Sequence, residues 1–185
     1  SQTGRNLWVS AQGSQVDRER VHSDPGASEE GYHFAIGTDL RIDTQWVVGA
    51  ALSINDSDAD YDDNRGDYSQ RDIALSAYGG WQQEAWFARG ALVYGDIDYA
   101  VDRRVPLGRG SYTADGDTDG HNFSAQLEGG YEFEFDRFST GPVLGLLAQH
   151  LRIDNFEESG AGAVNLGYGS QERHSLVGSA GWQFA

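Results

Sequence analysis

The sequence predicts an all-β protein, an antiparallel up-and-down transmembrane β-barrel of about eight strands, as a single domain over residues 1–185. One observation behind this is a long alternating run at residues 121–135. Phe123, Ala125, Leu127, Gly129, Tyr131, Phe133 and Phe135 fall on one face, and Asn122, Ser124, Gln126, Glu128, Gly130, Glu132 and Glu134 on the other. Strand side chains alternate with period two, so one face is apolar and the other polar. The run exceeds the usual length of about five or six residues and fits a tilted bilayer crossing of about 9–11. A second observation is that this pattern repeats along the chain. A third is that short links alternate with long ones, as short periplasmic turns and longer outer loops do.

The first strand is expected over about 5–20, with Leu7, Val9 and Ala11 opposite Trp8, Ser10 and Gln12. The second, about 30–43, sets Tyr32, Phe34, Ile36, Leu40 and Ile42 against His33, Gly37, Asp39 and Arg41. The third, about 46–60, carries Trp46, Val48, Ala50, Leu52 and Ile54 on one side. The fourth, about 68–82, carries Ile73, Leu75, Ala77 and Trp81. The fifth, about 85–105, sets Trp86, Ala88, Leu92 and Tyr94 against Phe87, Arg89, Ala91 and Val93. The alternating run is the sixth; the seventh, about 138–156, holds Leu144, Leu146 and Ala148, and the eighth, about 171–184, holds Leu176, Ala180, Trp182 and Phe184. Short links are expected at 43–45, 82–84 and 136–137, and long ones, rich in Asp, Gly, Ser and Asn, at 21–29, 55–68, 105–120 and 157–171.

Composition fits this reading. The chain has 25 Gly, 5 Trp, 9 Tyr and 8 Phe but 38% hydrophobic residues, which suits strands that are apolar on one side only. A net charge of −16 argues against nucleic acid, whose phosphates it would repel. There is no Cys, so no disulfide, and no Met. Ser1 to Arg5 are polar and show no signal peptide, so the chain reads as a mature segment. Trp46, Trp81 and Trp86 adjoin short links and are expected on one rim as an aromatic girdle, with Tyr131, Phe135, Trp182 and Phe184 also near strand ends.

Leu127-Glu128-Gly129-Gly130-Tyr131-Glu132-Phe133, then Gly141-Pro142-Val143-Leu144, then Asn155-Phe156-Glu157-Glu158-Ser159-Gly160-Ala161, resembles the translocator β-domain of autotransporters. Gly37-Thr38-Asp39-Leu40, Val48-Gly49-Ala50-Ala51-Leu52, Arg103-Arg104-Val105, Ser175-Leu176-Val177 and Gly181-Trp182-Gln183-Phe184 also fit that family. The opening Leu7-Trp8-Val9-Ser10 is most similar to barrels of lipolytic esterase autotransporters. The resemblance implies a location in the outer membrane of a Gram-negative bacterium and a covalent passenger domain. Its implied partners are outer-membrane lipids, lipopolysaccharide and the barrel assembly machinery. Family barrels have twelve strands, whereas eight are legible here. The chain is therefore a fragment or a smaller closed barrel, and an eight-stranded barrel is filled by side chains.

No catalytic, metal or cofactor set is expected. The acidic run Asp56–Asn64 lacks the Gly and Glu positions of an EF-hand and reads as a solvated outer loop, with loose cation binding by Asp56, Asp58, Asp60 and Asp62 as the alternative. No Gly-x-Ser-x-Gly elbow occurs, and His174 and Ser175 face opposite sides of a strand. The five histidines show no metal-ligand spacing. The candidate site residues are lumen-facing: Arg89, Asn122, Ser124, Gln126 and Glu128, with Arg89 and Glu128 either paired or lining a pore. Two alternatives remain at this point. One is a small outer-membrane barrel enzyme, such as a lipid A deacylase or protease, for which no Ser/His/acid cluster can be assembled. The other is a soluble β-barrel binding module, which would turn its apolar face inward.

Leu127→Arg is expected to block membrane insertion and Gln126→Arg to be tolerated, because Arg on the lipid face costs about 2–4 kcal/mol at the midplane. Refolding into lipid vesicles, read by gel mobility, checks this; equal folding of the two variants contradicts a membrane-facing 127.

Overall fold

The computed structural model describes residues 4–18, 26–61, 66–107, 110–162 and 165–184. The strands are β1 (Gly4–Arg18), β2 (Ala27–Arg41), β3 (Trp46–Tyr61), β4 (Gly66–Gln83), β5 (Trp86–Leu107), β6 (Gly110–Tyr131), β7 (Phe133–Phe135), β8 (Phe138–Ile153), β9 (Phe156–Glu157), β10 (Gly167–Tyr168) and β11 (Gln171–Phe184). One antiparallel sheet of nine strands runs β1-β2-β3-β4-β5-β6-β8-β11, with the short β7 beside β8; β9 and β10 form a separate two-stranded pair. Among the described residues β1 and β11 do not pair, so the sheet is open there.

The ladder carries the apolar face across every strand. Val9 opposes Ile36, Ile36 opposes Leu52, and Leu52 opposes Leu75. Leu75 opposes Tyr94, Tyr94 opposes Phe123, Leu127 opposes Leu146, and Ala148 opposes Leu176. Directly opposed residues share a face, so these side chains form one continuous band. On β4 the band runs from Ile73 to Trp81. That is about 27 Å of strand at 3.4 Å per residue, or about 21 Å of height at a tilt of about 40°.

The band is exposed. Leu7 is 75% accessible, Leu75 62% and Leu176 72%, while the buried apolar residues are small: Ala35, Ala51, Ala59, Ala114 and Ala161. No large side chain is fully buried among the described residues. A soluble barrel buries its apolar face as a core, so that alternative does not describe this sheet.

Three tight turns lie at one end of the sheet. In the β2–β3 turn the Asp43 carboxylate accepts from the backbone N–H of Gln45 (2.7 Å) and of Trp46 (2.8 Å). The β4–β5 turn is Glu84-Ala85, with Glu84 at φ 51°. Asp136-Arg137 joins β7 to β8. Aromatic rings collect at this end: Trp46 and Trp81 at 6.3 Å, Trp86 edge-on to Tyr131 at 4.9 Å, and Phe135 stacked on Phe138 at 4.8 Å.

At the other end the structure departs from the sequence reading. The expected links at 55–68 and 105–120 are largely strand: β3 runs to Tyr61, β4 starts at Gly66, β5 runs to Leu107 and β6 starts at Gly110. Parts of the expected links, 19–25, 62–65, 108–109 and 163–164, lie outside the described residues. The sixth strand therefore begins earlier than expected and breaks at Glu132, whose backbone N–H turns to the carbonyl of Ala85 (2.7 Å). Past the apolar band β6 buries Ala114, Gly116, Thr118 and Gly120 and exposes Asp115, Asp117 and Asp119. The buried face there is made of small residues, so no apolar alternation marks the strand.

The 154–168 segment docks against this overhang. Asp115 and Ser159 exchange two backbone hydrogen bonds (3.0 and 2.8 Å). Arg103 Nε donates to Glu158 Oε1 at 2.9 Å, and the Leu166 N–H donates to Glu158 Oε2 at 2.9 Å. The hydrogen bond from Arg103 holds the Glu158 carboxyl below the usual Glu range; burial opposes this and the Leu166 N–H adds to it.

Two outcomes follow. Cysteines at Val9 and Ile36 are expected to crosslink, because they are register partners, and cysteines at Val9 and Gly178 are not. An efficient Val9–Gly178 disulfide within one chain contradicts the open edge. The docking of 156–168 is expected to hold above the ordinary Glu pKa and to be lost as pH falls through the lowered Glu158 value, since only the ionised form keeps both bonds. Amide exchange of 156–168 against pH reads this; Glu158→Gln removes the acid step. An acid step that survives in Glu158→Gln assigns the docking to another group.

Candidate functional site

The face opposite the apolar band is polar and extensively hydrogen-bonded. It carries the five residues singled out from the sequence. Arg89 of β5 is the register partner of Glu128 of β6, Ala91 of Gln126, Val93 of Ser124 and Gly95 of Asn122. Arg89 Nε donates to Glu128 Oε1 at 2.6 Å, so the two charges form a pair. They sit on the half of the sheet nearer the tight turns. Asn122 Oδ1 accepts from Ser124 Oγ (3.4 Å) and from Gln149 Nε2 of β8 (3.3 Å). These positions lie about two residues apart along β6 and line one wall of the polar face.

A second cluster, not singled out from the sequence, spans β1 to β4. Trp8 Nε1 donates to the Tyr78 hydroxyl at 2.8 Å, and that hydroxyl donates to Asp39 on β2. Trp8 and Tyr78 start on strands three ladder steps apart, about 14 Å. They meet because glycines let both rings lie flat on the sheet. A Cβ at Gly37 would stand 2.4 Å from the Trp8 ring, and one at Gly49 would stand 2.4 Å from the Tyr78 ring. The signal was present in the sequence: Trp8 and Tyr78 are large aromatics at polar-face positions, and Gly37 and Gly49 fall on the same face of the strands between them. Nearby, His33 Nδ1 and Asn55 Oδ1 are 2.6 Å apart.

Towards the outer overhang the polar face carries three tyrosines, with Tyr68 stacked on Tyr99 and tilted to Tyr61. Tyr68 lies 5.6 Å from Tyr99 and 6.2 Å from Tyr61. At the overhang itself Asp102 is raised above the usual carboxylate range, first by burial and then by its hydrogen bond with Asp115. The polar face thus offers hydrogen-bonding groups, the paired Arg89 and Arg103, and aromatic surfaces to whatever occupies it.

Ser175 and His174 point to opposite faces, since Ser175 opposes Gln149 and His174 opposes His150. The histidine spacing in the sequence suggested no ligand set. The fold nevertheless brings His150 and His174, 24 residues apart, to a ring-nitrogen separation of 3.1 Å on the apolar-face side. Strand pairing sets that proximity, and linear spacing does not report it.

A family model for the autotransporter β-domain matches residues 7–185. The chain is 30% identical over 182 residues to the esterase EstA of Pseudomonas aeruginosa, covering 95% of this chain and 28% of that protein. It therefore spans under a third of the length of that relative. In structure it is similar to the translocator domain of the autotransporter NalP from Neisseria meningitidis, with a TM-score of 0.77 at 19% identity, covering 97% of this chain and 61% of that one. It is also similar to the β-domain of the Bordetella autotransporter BrkA, with a TM-score of 0.63 at 16% identity, covering 97% and 69%. With an exposed apolar band, a polar face behind it and a family match along nearly its whole length, the chain belongs to the autotransporter β-domain family of Gram-negative outer-membrane β-barrels.

Proposed function

We propose that this domain anchors a covalently linked passenger at the outer membrane and serves its translocation, and that the passenger is a lipolytic esterase. The observation that carries this is the separation of faces. An exposed apolar band, ringed by aromatics at the turn end, suits lipid, and the hydrogen-bonded polar face behind it suits a water-filled lumen. In this reading Arg89, Asn122, Ser124, Gln126 and Glu128 line the lumen, and Arg89–Glu128 neutralises charge there. Outer-membrane lipids and lipopolysaccharide cover the band, and the barrel assembly machinery inserts it. The esterase assignment is supported by the relative named esterase EstA, of which the matched part is 28%. On this account the ester-cleaving residues belong to the passenger, and the barrel contributes position only.

Surface display of the full-length protein in a Gram-negative host tests this. Protease added to intact cells is expected to release the passenger, and whole cells are expected to hydrolyse an ester that does not cross the outer membrane. Leu127→Arg should abolish both signals and Gln126→Arg should leave them within about twofold, as a lipid-face charge costs about 2–4 kcal/mol and a lumen-face charge little. A passenger that reaches the surface equally well with this domain deleted overturns the proposal.

A further inference from the structure

At the rim away from the tight turns, one register step beyond Ala148 and Leu176, the apolar face ends in His150 and His174. They oppose each other directly across β8 and β11. Their rings are 4.4 Å apart between centroids. Glu172 is two residues before His174 and shares its face. Its Oε1 lies 3.6 Å from His150 Nε2 and 3.3 Å from His174 Nε2. A donor atom from each of the three side chains lies within 4.8 Å of the other two.

These separations suit a metal. At bond lengths of about 2.0–2.1 Å, two ligands of a tetrahedral ion stand about 3.3–3.4 Å apart. Two imidazoles and one carboxylate form a borderline donor set that suits zinc and its transition-metal neighbours, whereas calcium and magnesium take oxygen ligands. His174 is 72% exposed and Glu172 55%, which leaves the fourth position open to water. The ladder holds the two strands in register from Gln171–Ile153 to Phe184–Thr140, so the histidines are placed by backbone pairing and need no loop to close. Arg152, the register partner of Glu172, engages Asp154 at 3.4 Å.

We propose that His150, His174 and Glu172 form a transition-metal site of zinc class on the outer rim of the barrel. The bound ion cross-links β8 to β11 at the mouth of the long 154–170 connection. The site lies on the side of the sheet away from the polar face and is separate from the lumen.

Zinc titration of the full-length protein in detergent micelles tests this, with heat-dependent gel mobility as the folding control. The parent is expected to bind one more equivalent of Zn2+ than the His150→Asn/His174→Asn double variant, and Glu172→Gln is expected to weaken that equivalent by more than about tenfold. With Cu2+ as probe, the electron paramagnetic resonance spectrum should show two coordinating nitrogens in the parent and one in His174→Asn. Equal zinc stoichiometry and affinity in the parent and the folded double variant overturn the site. If the double variant loses its compact gel band, Glu172→Gln and the Cu2+ spectrum of the parent decide: unchanged affinity, or no two-nitrogen signal, overturns it.

Discussion

A hydrocarbon bilayer offers no partner to a backbone N–H or C=O, and each unsatisfied group there costs several kcal/mol. Most of this structure follows from that. No helix among the described residues is long and apolar enough to cross, and the backbone is paired between strands instead. β1 to β6, β8 and β11 accordingly form one continuous antiparallel ladder of strands 14 to 22 residues long. The same constraint sends large apolar side chains outward, because the surroundings and not an interior core receive them. The usual order of burial is thereby inverted: alanines are buried, and Leu7, Leu75 and Leu176 lie open.

The polar face meets a different requirement. Its groups must be satisfied by water or by one another, and bulky side chains must fit without a core to receive them. Trp8 and Tyr78 solve the fit by lying over Gly37 and Gly49, where the absence of a Cβ leaves room for a ring against the backbone. Their hydrogen bonds to each other and to Asp39 tie β1, β2 and β4 together on the polar face. Arg89 and Glu128 do the same between β5 and β6. Part of the glycine content is explained in this way by close approach of side chains to the sheet.

Above the apolar band the constraint is relaxed, since water and docked chain can satisfy the backbone there. Strands persist there because the ladder, once begun, adds a hydrogen-bonded pair at each step. The β5–β6 hairpin extends to Leu107 and Gly110, and the 154–168 segment lays Glu158 against Arg103 on it. The boundary between the two regimes is where charged and ionisable groups first enter the outward face: Asp56 paired with Arg71, and His150 beside His174.

The period-two pattern fixes which side chain faces which way within each membrane-crossing strand, so strand existence, face assignment, the tight-turn rim and the barrel class were all legible from residues such as Phe123 to Tyr131. Face assignment is local: it depends only on the alternation of neighbouring residues along one chain segment. Long-range register is not local. It decided that Trp8 meets Tyr78, that Arg89 stands opposite Glu128, and that His150 meets His174 and Glu172. Nor could the sequence reveal that β5 runs to Leu107 and β6 starts at Gly110, because the face buried there carries the small residues Ala114, Gly116, Thr118 and Gly120 and gives no apolar signal. Composition and periodicity record the solvent that each face meets, whereas partners across the sheet are set by strand pairing, which only the tertiary structure contains.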